Sequence, residues 1–245
     1  MNLLLLMPED RRTGESRVSI GGRRAAHMID VVGVSVGSTI EVGEVGGRLG
    51  TATVTAIEAG RLSLEVTLDR PPPPRLDVRL VLALPRPPSL RRILHICAVM
   101  GVRSISLIHT RRVEKSFWSS PVLDDERVRR ELLLGLEQGR DTVMPEVHQY
   151  RRFKPFVEDH LPAIAGGTLK LVGDLVAERV CPTAVGEPIT IVIGPEGGLV
   201  DYEIGRLCEA GFTPVHLGPR ALRVEQAVPA FLGRLASYAA AEKGS

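Results

Sequence analysis

The chain has 245 residues, of which 44% are hydrophobic and 24% charged, with a formal net charge of +2. That composition lies near the average for soluble globular proteins and excludes disordered, collagenous and disulfide-scaffold classes, and the length suits two ordinary domains, each with its own core. Cys97, Cys181 and Cys208 lie far apart without CxxC spacing, which argues against a zinc site or a disulfide framework, and so small a net charge does not by itself announce a nucleic-acid partner.

The opening MNLLLLMPED carries a short apolar run with no basic flank and meets Pro8 at once, so it reads as a β-strand rather than a signal peptide. No stretch reaches the roughly 18 apolar residues of a membrane span, and the expected compartment is the cytoplasm. From 18 to 68, short segments of alternating polarity punctuated by glycines at 43, 46, 47, 50 and 60 predict a small antiparallel barrel, with one short helix near 23–31. Pro71, Pro72, Pro73 and Pro74 make a stiff extended spacer. The expected domains are therefore 1–70, a linker over 71–77, and 78–245.

Beyond the linker, the run 78–84, apolar but for Arg79, predicts a strand buried on both faces, and a helix over 89–100 follows it. Then come a strand over 104–108, a helix over 124–139, strands over 169–172 and 189–193, a helix over 201–210 with Asp201 as its N-cap, a strand over 214–217 and a helix over 224–241. Strands alternating with helices indicate an α/β fold with a mostly parallel sheet, whose ligand sites lie at the carboxyl ends of the strands.

Positive charge gathers in the middle of the chain, where residues 86–160 hold fourteen basic and ten acidic side chains against nine of each in 1–75. Arg91, Arg92, Arg111, Arg112 and Lys115 belong to this concentration, which is either a set of solvated helix faces or a shared RNA-facing surface. Phe117 and Trp118 beside it either stack on an unpaired base or fill a core or contact role. The six histidines, at 27, 95, 109, 148, 160 and 216, show no ligand spacing and read as surface or core residues.

Two segments carry chemistry. Gly194-Pro195-Glu196-Gly197-Gly198 follows the strand ending at Ile193, and its glycines let backbone approach a ligand closely; a plain strand-to-helix turn is the other reading. It is neither a dinucleotide fingerprint nor a P-loop. Leu217-Gly218-Pro219-Arg220-Ala221-Leu222-Arg223 repeats the arrangement at the next strand end, with Glu225 just beyond. Arg220 and Arg223 are either salt-bridge partners or charges converging on a pocket, and Glu225 could be an ordinary acid of the first helical turn.

Together these segments resemble the bacterial ribosomal RNA uridine-N3 methyltransferases of the SPOUT superfamily, as do Arg111-Arg112-Val113-Glu114-Lys115-Ser116 and Leu136-Glu137-Gln138-Gly139-Arg140, and the resemblance covers nearly the whole chain. It implies a PUA-like RNA-binding barrel before a domain tied into a deep trefoil knot, a homodimer, ribosomal RNA or the small ribosomal subunit as partner, S-adenosylmethionine as cofactor and no metal. The cofactor would be held by Leu171, Val172 and Gly173, by Ile193, Gly194, Pro195, Glu196, Gly197 and Gly198, and by Leu217, Gly218, Leu222 and Arg223. RNA would meet Arg86, Arg91, Arg111, Arg112, Lys115 and Arg140.

Methylating the uracil ring nitrogen requires its deprotonation, and Arg220 and Arg223 are candidates to hold the resulting anion. Glu225 either orients an arginine or accepts the proton, the latter needing a raised pKa. The chain departs from the family at Gly33, where a basic residue is usual, at Ser89, where a lysine is, at Val99-Met100-Gly101, and at Val224 and Gln226 in place of threonines. These departures bear on the RNA target far more than on the cofactor loops. They keep two alternatives open: a methyltransferase of the same fold acting on another RNA position or a small molecule, and a non-catalytic RNA-binding relative.

Overall fold

The computed structural model describes residues 2–14 and 16–236. They group into two compact units, one of residues up to 73 together with 133–144, the other of 74–132 together with the residues from 145 onward.

In the first unit, strands β1 (Leu4–Leu6), β2 (Arg11–Thr13), β3 (Arg17–Ile20), β4 (Thr39–Glu44), β5 (Leu49–Glu58) and β6 (Arg61–Arg70) form one sheet in the order β1-β4-β5-β6-β3-β2. The antiparallel expectation holds for every pair except β1 with β4, which run parallel with Leu4 opposite Val42. A long crossover through β2, β3 and a helix joins those two strands, the kind of connection a parallel pair needs. Alternate residues Ala52 and Val54 of β5 and Leu62, Leu64 and Val66 of β6 enter the core, which is how period-2 patterning betrays a half-buried strand. Helix α1 (Gly22–His27) continues as a π-helical turn over Met28–Val32, and Ala25 and Met28 pack into the same core.

Residues 133–144 belong to this unit through contacts that no local pattern announces. The Asn2 amide donates to the Glu137 carbonyl at 3.1 Å, the Gly46 amide to the Thr142 carbonyl at 2.8 Å, and the Thr142 hydroxyl to the Gly47 carbonyl at 2.6 Å. The buried Glu137 carboxylate meets Arg23 at 3.2 Å.

The second unit holds β7 (Leu76–Ala83), β8 (Val102–Ile108), β9 (Glu146–Tyr150), β10 (Leu169–Gly173), β11 (Ile189–Ile193) and β12 (Thr213–Val215), in the order β12-β10-β11-β7-β8-β9. Every neighbouring pair in that sheet is parallel. Strand β11 is buried along its whole length, as a central parallel strand covered on both faces requires. The edge strand β9 is the one the sequence does not announce: Glu146, His148 and Gln149 are exposed, so it carries no apolar signal.

The helices of this unit are α2 (Pro87–Val99), the start of α3 (Asp125–Gly139), the short α4 (Phe153–Pro155) and α5 (Leu161–Ile164), α6 (Asp201–Glu209) and α7 (Val224–Leu235), with α2 packed against α7. Two expectations are corrected. Asp201 is not the N-cap of α6 but its first helical residue, because the free amide of Val200 is satisfied by the Glu203 carboxylate at 3.0 Å. Helix α7 ends at Leu235, since Ala236 turns to φ −57 and ψ 121; positions 237–241 of the expected helix lie outside the described residues. Among the described residues no helix is long and apolar enough to cross a membrane.

Ile191 is fully buried at the middle of β11. Ile191→Ala is expected to destabilise the chain by about 2–5 kcal/mol, read as a lowered midpoint in chemical denaturation with an unchanged slope.

Candidate functional site

Three strands of the parallel sheet stop at one level. Gly173 at the end of β10 pairs with Ile193, the last residue of β11, and with Val215, the last of β12. The turns leaving these ends enclose a cavity of about 470 Å³ within the second unit, inside the range of roughly 300–1,000 Å³ typical of small-molecule sites.

The middle turn is shaped by the backbone. The Gly198 amide donates to the Pro195 carbonyl at 2.8 Å, closing the turn, and Leu199 folds back so that a Cβ on Gly194 would stand 3.1 Å from its amide nitrogen and its Cγ. A side chain at 194 would therefore push the turn open. Neighbouring strand ends tie this turn down. The Arg86 amide, just after β7, donates to the Glu196 carboxylate at 3.0 Å. Arg112, from the turn after β8, donates through its guanidinium to the Gly197 carbonyl. The buried Glu203 carboxylate accepts from the Arg111 amide at 2.6 Å as well as from Val200.

The last turn runs from β12 into α7. Gly218 has φ +124, a conformation that glycine alone adopts easily, and its amide donates to His216 Nδ1 at 3.0 Å. Arg223 precedes the first helical residue of α7, its amide donating to Gln226 Oε1 at 3.1 Å.

Of the residues expected to form the site, Gly173, Ile193 and the whole of Gly194-Pro195-Glu196-Gly197-Gly198 line the cavity, as do Leu217, Gly218, Arg220 and Leu222. Leu171 and Val172 do not; they are buried inside β10, beneath the level of the strand ends. Arg223 is exposed beside the cavity without lining it. Of the expected RNA-facing set, Arg112 lines the cavity, Arg91 pairs with Glu131 at 2.9 Å, and Arg86, Arg111 and Lys115 are exposed in the same unit. Arg140, at φ +56, belongs to the first unit.

Glu225 lies outside the cavity lining, where the Ser89 hydroxyl donates to it at 2.5 Å and Arg92 approaches at 3.3 Å. The Ser89 hydrogen bond, aided by the charges of Arg92 and Arg223, holds the Glu225 carboxyl below the ordinary glutamate value despite the opposing effect of partial burial. The lining also includes Asp174, Asp201, His216 and Phe231, which sequence reasoning did not propose as ligand-facing. Asp174 and His216 carried a signal, since they stand next to Gly173 and Leu217 of the expected cofactor-holding residues. Cys97 and Cys181 are buried free thiols, and burial pushes Cys181 up to about 11. Among the described residues no group of three or more His, Cys, Asp or Glu side chains could hold a metal ion.

A family profile described as an RNA methyltransferase domain matches residues 72–236. The chain is 28% identical over 232 residues to a ribosomal RNA small subunit methyltransferase E of Treponema pallidum, covering 93% of this chain and 87% of that one. It is 27% identical to the protein of that name from Mycobacterium bovis, covering 87% and 84%. Among solved structures it resembles a ribosomal RNA small subunit methyltransferase E from Neisseria gonorrhoeae bound to S-adenosyl methionine, with TM-score 0.76, 22% identity and 95% of each chain covered. A methyltransferase from Legionella pneumophila with bound SAM gives TM-score 0.72 at 20% identity, covering 95% of this chain and 96% of that one.

Removing the Ser89 hydroxyl takes away the largest influence on Glu225. In Ser89→Ala the Glu225 titration is expected to move up toward 4.5 by carbon-detected NMR. The sign follows from linkage: the hydrogen bond stabilises the fold above the ordinary carboxylate range and is lost as pH falls through the lowered pKa, so the variant should lose less stability than the parent on acidification.

Proposed function

The chain belongs to the RNA methyltransferase domain family, and from that premise we propose that it transfers the methyl group of S-adenosylmethionine to the ring N3 of a uridine in small-subunit ribosomal RNA. The observation that carries this reading is the cavity walled jointly by the turns after β10, β11 and β12. Its chemistry fits the cofactor. Carboxylates at Asp174, Glu196 and Asp201 suit a ligand carrying sulfonium and ammonium charges, while Ile193, Leu199, Leu222 and Phe231 offer apolar surface to a nucleoside. Gly173 and the Ile193–Gly198 turn would hold it on one side, and Leu217, Gly218 and Leu222 on the other.

When bound, S-adenosylmethionine supplies a methyl group already activated by its sulfonium, so alignment of the acceptor is the protein's main task. The acceptor nitrogen must lose its proton, and the charge spreads to the uracil carbonyl oxygens. Arg220, at the cavity, and Arg223, at the start of α7, would hold those oxygens with charge-assisted hydrogen bonds. A general base working near neutrality needs a raised pKa, whereas Glu225 is held ionised; its role in this reading is to anchor Ser89 and Arg92 and to face Arg223. Arg112 at the cavity wall, with the exposed Arg86, Arg91, Arg111 and Lys115, would meet the RNA backbone, and Arg140 would do so from the first unit.

The same reading assigns residues 1–70 to a PUA-like RNA-binding barrel, 71–77 to a linker and 78–245 to a knotted catalytic domain that pairs as a homodimer, with 133–144 of that span packed in the first unit. Pro71–Pro74 lie between the end of β6 at Arg70 and the start of β7 at Leu76, which supports the linker. For the knot, the connection from β10 to β11 is hydrogen-bonded both to the residue after β12 and to the last turn of α7. Cys181 donates to the His216 carbonyl at 2.9 Å, Ala184 to Arg234 at 3.0 Å and Val185 to Leu235 at 3.1 Å. A chain threaded through that connection would make such contacts.

Two measurements test the reading. Calorimetry should detect S-adenosylmethionine binding, and small ribosomal subunits incubated with labelled cofactor should carry the label on uridine N3; label on a ribose, on another base, or on no RNA would refute the target. Arg220→Ala and Arg223→Ala should each lower transfer by roughly 10²–10³-fold while leaving cofactor affinity nearly intact. Equal losses in both quantities would contradict the role given to these arginines.

A further inference from the structure

We infer that His216 is a positioning residue: its neutral imidazole, protonated on Nε2, locks the Leu217–Gly218 turn against the cavity and makes cofactor affinity fall when the ring gains a second proton. The inference rests on the cofactor reading of the cavity.

The backbone of His216 cannot drift. Its amide donates to the Arg179 carbonyl at 2.9 Å and its carbonyl accepts from Cys181 at 2.9 Å, forming an isolated parallel bridge between Val180 and His216 beyond the end of β12. From this fixed point the side chain reaches forward to the Gly218 amide, 3.0 Å from Nδ1. A backbone N–H can only donate, so Nδ1 must be the bare, accepting nitrogen and the proton of the neutral ring sits on Nε2.

Gly218 stands at φ +124, and the next residue, Pro219, has no amide hydrogen, so the imidazole is what holds the turn's remaining donor in place. Both His216 and Gly218 line the cavity. A second proton would set N–H against N–H, and the turn would have to open.

The charged groups that share the cavity with His216, or stand beside its backbone, come from several segments. Asp174 and Arg179 lie in the connection after β10, and the Asp174 amide donates to Val215. Glu196 belongs to the middle turn, Asp201 to the start of α6, Arg112 to the turn after β8 and Arg220 to the ring's own turn.

The experiment is S-adenosylmethionine binding by calorimetry between roughly pH 8 and 5 for the unaltered chain, His216→Ala and His216→Asn. The Asn side-chain oxygen can stand near the position of Nδ1 and does not titrate. At the upper end His216→Ala should bind roughly five- to thirty-fold more weakly, as loss of one hydrogen bond with its donor left unpaired predicts, and His216→Asn should restore most of that loss. On acidification the unaltered chain should lose affinity more steeply than His216→Asn, whose curve reports the ligand's own titration. Nitrogen-15 NMR of the free chain near pH 8 should find Nδ1 without a proton.

Equal affinity of the unaltered chain and His216→Ala near pH 8, or parallel pH curves for the unaltered chain and His216→Asn, overturns the inference and leaves the cofactor reading standing. So does a protonated Nδ1. An unaltered chain that fails to bind at any pH overturns the cofactor reading and takes the inference with it.

Discussion

Gly173 is flanked by Ile193 on one side and Val215 on the other, so three parallel strands end in a single row. Everything at the candidate site follows from that register. Each strand hands over to a turn at the same height, and three turns leaving one edge of a sheet can wall a cavity that none could enclose alone. The register is enforced by burial: β11 is covered along its whole length, and slipping it by one residue would exchange the side chains on its two faces. An apolar strand far from any reacting atom thus sets the distances between the residues that meet a ligand.

The turn after β11 is the hub of this edge. Glu196 holds the amide that opens α2, Arg112 reaches the Gly197 carbonyl from the turn after β8, and Glu203, one turn into α6, ties Arg111 to the same region. Glu203 is engaged through both oxygens and Glu196 through one with backbone donors, where unpaired amides would be costly. This leaves the glycine-bearing backbone facing the cavity, held from two neighbouring strand ends.

What could be read from the sequence divides along the same line. The parallel sheet of the second unit was legible because β11 and the second half of β7 are mostly apolar, and both glycine-bearing turns were legible because each follows a strand end, one after β11 and the other after β12. The alternation in β5 and β6 was equally plain. The parallel pairing of β1 with β4 was not, because three leucines in a row fit either direction. Strand β9 escaped because an exposed edge strand needs no apolar pattern. Residues 133–144 sit in the first unit through backbone hydrogen bonds spanning about a hundred positions, and such bonds can be made by any residue type. His216 was set aside for want of ligand spacing; its partner is a backbone amide two residues on, which leaves no trace in composition.

Ion pairing sorts the arginines more sharply than their positions in the sequence do. Arg91 is committed to Glu131 and Arg92 to Glu225, so binding a phosphate there would require breaking a pair or sharing a guanidinium already partly neutralised. Arg112 spends one nitrogen on a carbonyl, which fixes the side chain without cancelling its charge. Among the described residues Arg220 and Arg223 enter no ion pair, and Arg223 feels Glu225 only through space. A full positive charge without a carboxylate contact, standing where a turn meets the start of α7, is the arrangement that gains most when an anion develops nearby, because no existing pair must be given up first. The proposed role of these two arginines therefore rests on what they leave unpaired as much as on where they stand, and Ser89 contributes by keeping Glu225 occupied with its own hydrogen bond.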